Sequence, residues 1–157
     1  MEPLSPHLLT ALSGFLGTTA MTALLWLLTG FRIADVDMVR AIGSLITRSL
    51  HKALLPGLLV HFGAGILFSY AYAYCLSIPT QSTMEGYTGL GAFLGFMHGL
   101  VVSIALIVLV AEHHPLQRFK KAGFQVALYH LLAHVLYGAV VGLTQGYFAL
   151  QGPVAGI

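Results

Sequence analysis

The sequence predicts an all-α membrane protein: a four-transmembrane-helix bundle built from two parallel two-helix repeats, with an amphipathic cytoplasmic connecting helix. Three observations carry this expectation. Only 8% of the 157 residues are charged, against about 25% in soluble domains, and they cluster so that four long stretches contain none. All seven Lys and Arg residues fall between the first and second of these stretches or between the third and fourth. The second and fourth stretches match one another at an offset of 73 residues.

The uncharged runs are Leu8–Phe31, Ala53–Met84, Gly86–Ala111 and Ala122–Ile157. Each exceeds the roughly 18 apolar residues that mark a spanning helix. Spans are expected at about 8–30, 54–76, 88–111 and 123–149, with residues 1–157 forming one integral membrane domain and no water-soluble domain beside it. The first run is not expected to be a secretory signal. No basic residue precedes it, and it is longer than the about 7–15 residues of a signal's apolar region.

Arg32, Arg40, Arg48 and Lys52 occupy the first connection, and Arg118, Lys120 and Lys121 the last. Basic residues concentrate on the cytoplasmic side of bilayer proteins, so these connections are expected inside and both termini outside, in a bacterial inner membrane. The formal charge of +2 then follows from topology, and no nucleic-acid partner is expected. A single cysteine, Cys75, allows neither an internal disulfide nor a Cys-based metal site.

Along the first span, Gly14, Thr18 and Thr22 form a small-residue face, and Trp26 and Phe31 belong at the inner interface. In the connection, Asp35 is the expected N-cap. From there Val36, Val39, Ile42, Ile46, Leu50 and Leu54 share one arc, opposite a polar arc from Asp37 to Lys52. Such a helix either lies among anionic headgroups or caps the inner end of the bundle; the pattern serves both. The second span opens at Pro56 and closes with an expected aromatic belt of Tyr70, Tyr72 and Tyr74. The third carries Gly91, Gly95, Gly99 and Ser103 at four-residue spacing, and ends before Pro115.

In the fourth span His130, His134, Gly138, Gly142 and Gly146 follow one another at the same spacing. Residues four apart share a helix face, and glycines there admit a neighbouring backbone. Gly91, Gly95, Gly99, Gly138, Gly142 and Gly146 are therefore expected to line close helix contacts, within the chain or with a partner. Leu58-Leu59-Val60-His61 corresponds to Leu131-Leu132-Ala133-His134, then Gly65 to Gly138, Ser69 to Gly142 and Tyr74 to Tyr147. The first and third spans share Phe15-Leu16-Gly17 and Phe93-Leu94-Gly95, a weaker match at an offset of 78. Two helices per unit make the halves parallel, about an axis along the membrane normal.

Asp35-Val36-Asp37, Ala41-Ile42-Gly43 and the histidine-bearing glycine stripe resemble those of small four-helix bacterial integral membrane proteins of unknown function. The resemblance implies the bundle and no activity.

Within the spans the groups with chemistry are His61, His98, His130 and His134; His51, Glu112, His113 and His114 stand at the inner surface. Ionisable residues inside a bilayer are functional candidates because burying them is costly. A neutral imidazole satisfied between helices is the structural reading. Against it, His61 and His134, equivalent in the repeat, are the candidate cofactor pair, for haem b or a quinone headgroup. His98 and His130 are candidate ligands for a transition metal, with His130 and His134 at zinc-helix spacing. A small transporter would place its polar groups at the repeat interface, but no intramembrane acid is present. A membrane di-iron enzyme would need more His-His pairs than His113-His114. The expected function is a non-catalytic accessory or structural subunit of a membrane complex, with the bilayer, further copies or other membrane subunits as partners.

Overall fold

The structure is a computed structural model describing residues 5–121 and 123–151; the ends of the expected domain, including the last six residues of the fourth uncharged run, lie outside the described residues. Among those described there is helix and no strand.

Helix α1, Pro6–Gly30, begins where the Ser5 hydroxyl accepts from the Leu8 N–H (3.3 Å) and Pro6 takes the first position. Its hydroxyls are satisfied without water: Thr18 donates to Gly14 O (2.7 Å) and Thr22 to Thr18 O (2.6 Å). That lets a face of Ser, Thr and Gly be buried in an apolar bundle. Helix α3 is Leu54–Ser77 and α4 is Met84–Ala105, capped by the Thr83 hydroxyl, which accepts from Gly86 N–H (3.1 Å). A five-residue π segment, Leu106–Val110, and a last α turn, Ala111–His113, extend α4. Helix α5 is Phe124–Gln151. The four long helices are long and apolar enough to cross a membrane.

Helix α2, Met38–Thr47, departs from the expected arc at both ends. Its N-cap is Asp37, whose carboxylate accepts from Arg40 N–H (3.2 Å). Asp35 is not the cap; it takes both Arg118 hydrogen bonds, at 2.7 and 2.5 Å, and holds that guanidinium above its ordinary pKa. The helix stops where Arg48 turns left-handed (φ 51°), so Leu50 and Leu54 are not on it. Its buried side is Met38, Val39, Ala41, Gly43 and Ser44, while Ile46 is 63% exposed. This face lies on the start of α3: a Cβ at Gly43 would overlap Ala53 O, and one at Gly57 would overlap Val39 O. The connecting helix thus caps one end of the bundle, the end that carries the two basic connections.

Helix α4 packs most intimately on α5, α1 packs on both α3 and α5, and α3 scarcely meets α4. The order around the bundle is α3, α1, α5, α4, with a gap between α3 and α4. Glycine explains the closest pair. A Cβ at Gly91 would overlap Gly138 O, at Gly95 it would overlap His134 O, and at Gly142 it would overlap Tyr87 O. At Gly99 it would stand 2.8 Å from His134 Cβ, at Gly138 it would overlap Gly91 O, and at Gly146 it would stand 2.7 Å from Tyr87 Cβ. The two stripes interlock with each other, which leaves neither for an outside partner.

Tyr72 is not part of an aromatic belt. Two residues on a helix turn about 200°, so Tyr72 faces away from Tyr70 and Tyr74. It is 5% exposed and points into the bundle, while Tyr74 is 71% exposed.

Candidate functional site

The interlocked pair α4–α5 and the pair α1–α3 leave a cavity of about 270 Å³ between them, roofed by Met38 and Ile42 of α2. Three imidazoles from three helices line it: His61 on α3, His98 on α4 and His134 on α5. Tyr137, one turn beyond His134, completes the polar lining with Thr18; most of the remaining wall is aliphatic. Among the described residues no carboxylate or cysteine lines it.

Each histidine is held by one nitrogen. His61 Nε2 lies 3.1 Å from Thr22 Oγ1, His98 Nδ1 lies 3.3 Å from Tyr72 Oη, and His134 Nδ1 lies 2.7 Å from His130 O. The rings of His98 and His134 meet edge to face at 4.9 Å. Tyr72 and Tyr137 do the same at 5.3 Å, and Tyr137 Oη donates to Gly65 O (2.6 Å). Tyr137 reaches that far because Gly17 has no side chain; a Cβ there would stand 2.8 Å from the phenol ring. The result is a stiff polar lattice facing an apolar void. Buried polar groups of this kind fix the positions of their helices when they are satisfied.

His130 points elsewhere. Its Nδ1–H donates to Val126 O (2.7 Å), and its Nε2 is the one buried side-chain nitrogen or oxygen without a partner among the described residues. It lines a separate pocket of about 160 Å³ with Asp35, Asp37, Arg118 and Lys121, at the end of the bundle that α2 caps. The π segment lies between the two spaces, since Leu106 and Val110 line both.

The candidates divide accordingly. His61, His134 and His98 come together, and His130 does not join them. For the metal reading, no group of three His, Cys, Asp or Glu side chains among the described residues is placed to hold an ion. For haem, about 270 Å³ falls below the roughly 300–1,000 Å³ of pockets for drug-sized ligands, and a porphyrin is larger than most of these. A six-membered ring fits, since a cavity of about 150 Å³ accepts benzene. His114, expected at the inner surface, is fully buried and binds Ala41 O on α2 (3.1 Å); it is part of the roof.

Tyr72, Phe68 and Tyr137 were not among the expected site residues, yet all three stand in or against this site. Tyr137 is three residues from His134 and so on its face, a signal that was legible. Tyr72 and Phe68 declare themselves only through His98, on another helix. No family model, curated protein or solved structure matches this chain.

Proposed function

We propose that this protein is a non-catalytic integral membrane module of the bacterial inner membrane that holds a small membrane-soluble molecule in its bundle core, as an accessory subunit of a membrane complex. The observation that carries the proposal is the convergence of His61, His98 and His134, from three helices, on one otherwise apolar cavity. A bundle that needed only stability would fill that space with side chains, because interiors are close-packed. The lining offers hydrogen bonds to a polar head and no carboxylate or thiol for chemistry.

The cavity lies between two helix pairs that we read as a repeat. Ser69 donates to Thr10 O (2.8 Å) in one pair where Gly142 abuts Tyr87 O in the other. Gly65 abuts Thr18 where Gly138 abuts Gly95, and His61 meets Thr22 where His134 abuts Gly99. These rungs correspond at offsets of 73 for α3 to α5 and 77 for α1 to α4. The weaker sequence match, at 78, is one residue out of this register.

The test is extraction. Ala64 lines the cavity, and Ala64→Phe fills it. An organic extract of gently purified wild-type protein should contain a near-stoichiometric lipophilic molecule that the variant lacks; identical extracts would refute the binding role. The membrane orientation is tested separately. Asp35–Arg118 and His114–Ala41 bring the two basic connections to one end of the bundle, which we place in the cytoplasm. Cys75, half-buried near the opposite end of α3, should react with a membrane-impermeant maleimide in spheroplasts. Labelling confined to inside-out vesicles would invert the topology.

A further inference from the structure

The protonation of His61 and His134 is fixed by what they touch, and it selects a ligand class. Thr22 Oγ1 spends its proton on Thr18 O (2.6 Å), a carbonyl that can only accept. Toward His61 the hydroxyl oxygen is therefore an acceptor, so His61 carries its proton on Nε2 and presents a bare Nδ1. His134 is the reverse: Nδ1–H donates to His130 O, and Nε2 is bare. Gly99 stands where Thr22 stands in the other helix pair, so no hydroxyl meets His134 and it turns to its own backbone. The Tyr72 hydroxyl that meets His98 Nδ1 can donate or accept, so His98 Nε2 serves either as acceptor or as donor. None of these three free nitrogens is among the buried unpartnered atoms, although none of the residues is exposed. Each therefore has open space beside it, and the cavity is the space the three residues share.

An entrance lies beside them. The gap between α3 and α4 is bridged by Phe68, whose ring rests 4.3 Å from that of His98. Phe68 lines the cavity and is also 43% exposed.

We infer that the cavity is a headgroup site for a hydroquinone or related phenol, which enters from the bilayer past Phe68 and donates its hydroxyl protons to His61 Nδ1 and His134 Nε2. A ring fits the volume, the two acceptors outnumber donors whichever nitrogen of His98 carries its proton and so favour the hydroxyl form over the dicarbonyl form, and a hydrocarbon tail would remain in the gap between α3 and α4. This inference rests on the proposed binding role and narrows it to one chemistry.

The experiment compares three probes on the wild-type protein in detergent, by anaerobic calorimetric titration: trimethylhydroquinone, its dimethyl ether and trimethylbenzoquinone. The hydroquinone should bind about tenfold or more tightly than the ether, the order expected from losing hydrogen bonds to buried acceptors, and more tightly than the quinone. His61→Leu and His134→Leu should each reduce that preference, and Phe68→Ala should speed association. Equal binding of hydroquinone and ether, or tighter binding of the quinone, would overturn the ligand class while leaving the binding role intact. Binding of none of the three would overturn the class on its own, and the extraction with Ala64→Phe would then decide the binding role. The comparison of probes needs no variant, so a misfolded histidine mutant does not blunt it.

Discussion

Gly138→Leu is expected to cost the most stability of any single change in the spans. Its side chain would be driven into Gly91 O and the Gly95 backbone, atoms that no rotamer change can move aside. Overpacking usually costs about 1–3 kcal/mol where neighbouring side chains can adjust; here α4 and α5 must separate, so the loss should reach or exceed the top of that range. The control is on the partner helix. A Cβ at Gly89 meets nothing within 4 Å, and Gly89→Ala should stabilise by up to about 1 kcal/mol through helix propensity. Gly91→Ala, two residues on, should destabilise. Thermal unfolding in detergent, followed by circular dichroism, reads all three. A Gly138→Leu protein melting with the wild type, or damage at Gly89 equal to that at Gly91, would show that the glycine stripes do not set the helix spacing.

That contrast also marks how far the sequence could be read. Four long helices follow from four uncharged runs because a hydrocarbon environment excludes charge and requires every backbone group to be bonded within its own helix. The glycine spacing pointed to close contact, since period and face are local properties. Which helix each stripe meets is a tertiary matter. The choice of Asp37 over Asp35 as cap was not legible, because Asp35 is claimed by Arg118, 83 residues away. Nothing in the composition marks the π segment, and its widened turn appears only with the fold. Of the site, His61 and His134 were legible through their common position in the two matching spans. Their opposite tautomers were not, because these depend on Thr22 being present on one neighbour and Gly99 on the other. His114 was read with His51, Glu112 and His113 as a group at the inner surface, and its burial depends on α2 folding back over it.

His114→Leu is the second large effect, and it falls on the roof and spares the spans. The ring is fully buried and edge-on to Phe119 at 4.8 Å. Leu116 N–H donates to its Nδ1 (3.1 Å), so the proton is on Nε2, which donates to Ala41 O (3.1 Å) with Ser44 Oγ 3.4 Å away. One neutral imidazole thus ties the end of the third span and the following loop to α2. Leucine keeps much of the volume but leaves Leu116 N–H and the Nε2-facing side of Ala41 and Ser44 without that partner. Each buried group so stranded costs about 1–3 kcal/mol, and roughly 2–5 kcal/mol in total is expected. The loss should be local, because the glycine contacts of α4 and α5 are untouched. Trypsin should therefore cut faster at Arg40, Arg48 and Arg118 in the variant, while the helical content at low temperature stays at the wild-type level. Met38 and Ile42 roof the core cavity, so hydroquinone binding should weaken in parallel with the gain in cleavage. Cleavage rates and melting temperature both equal to wild type would mean that α2 is held by Gly43 and Gly57 alone.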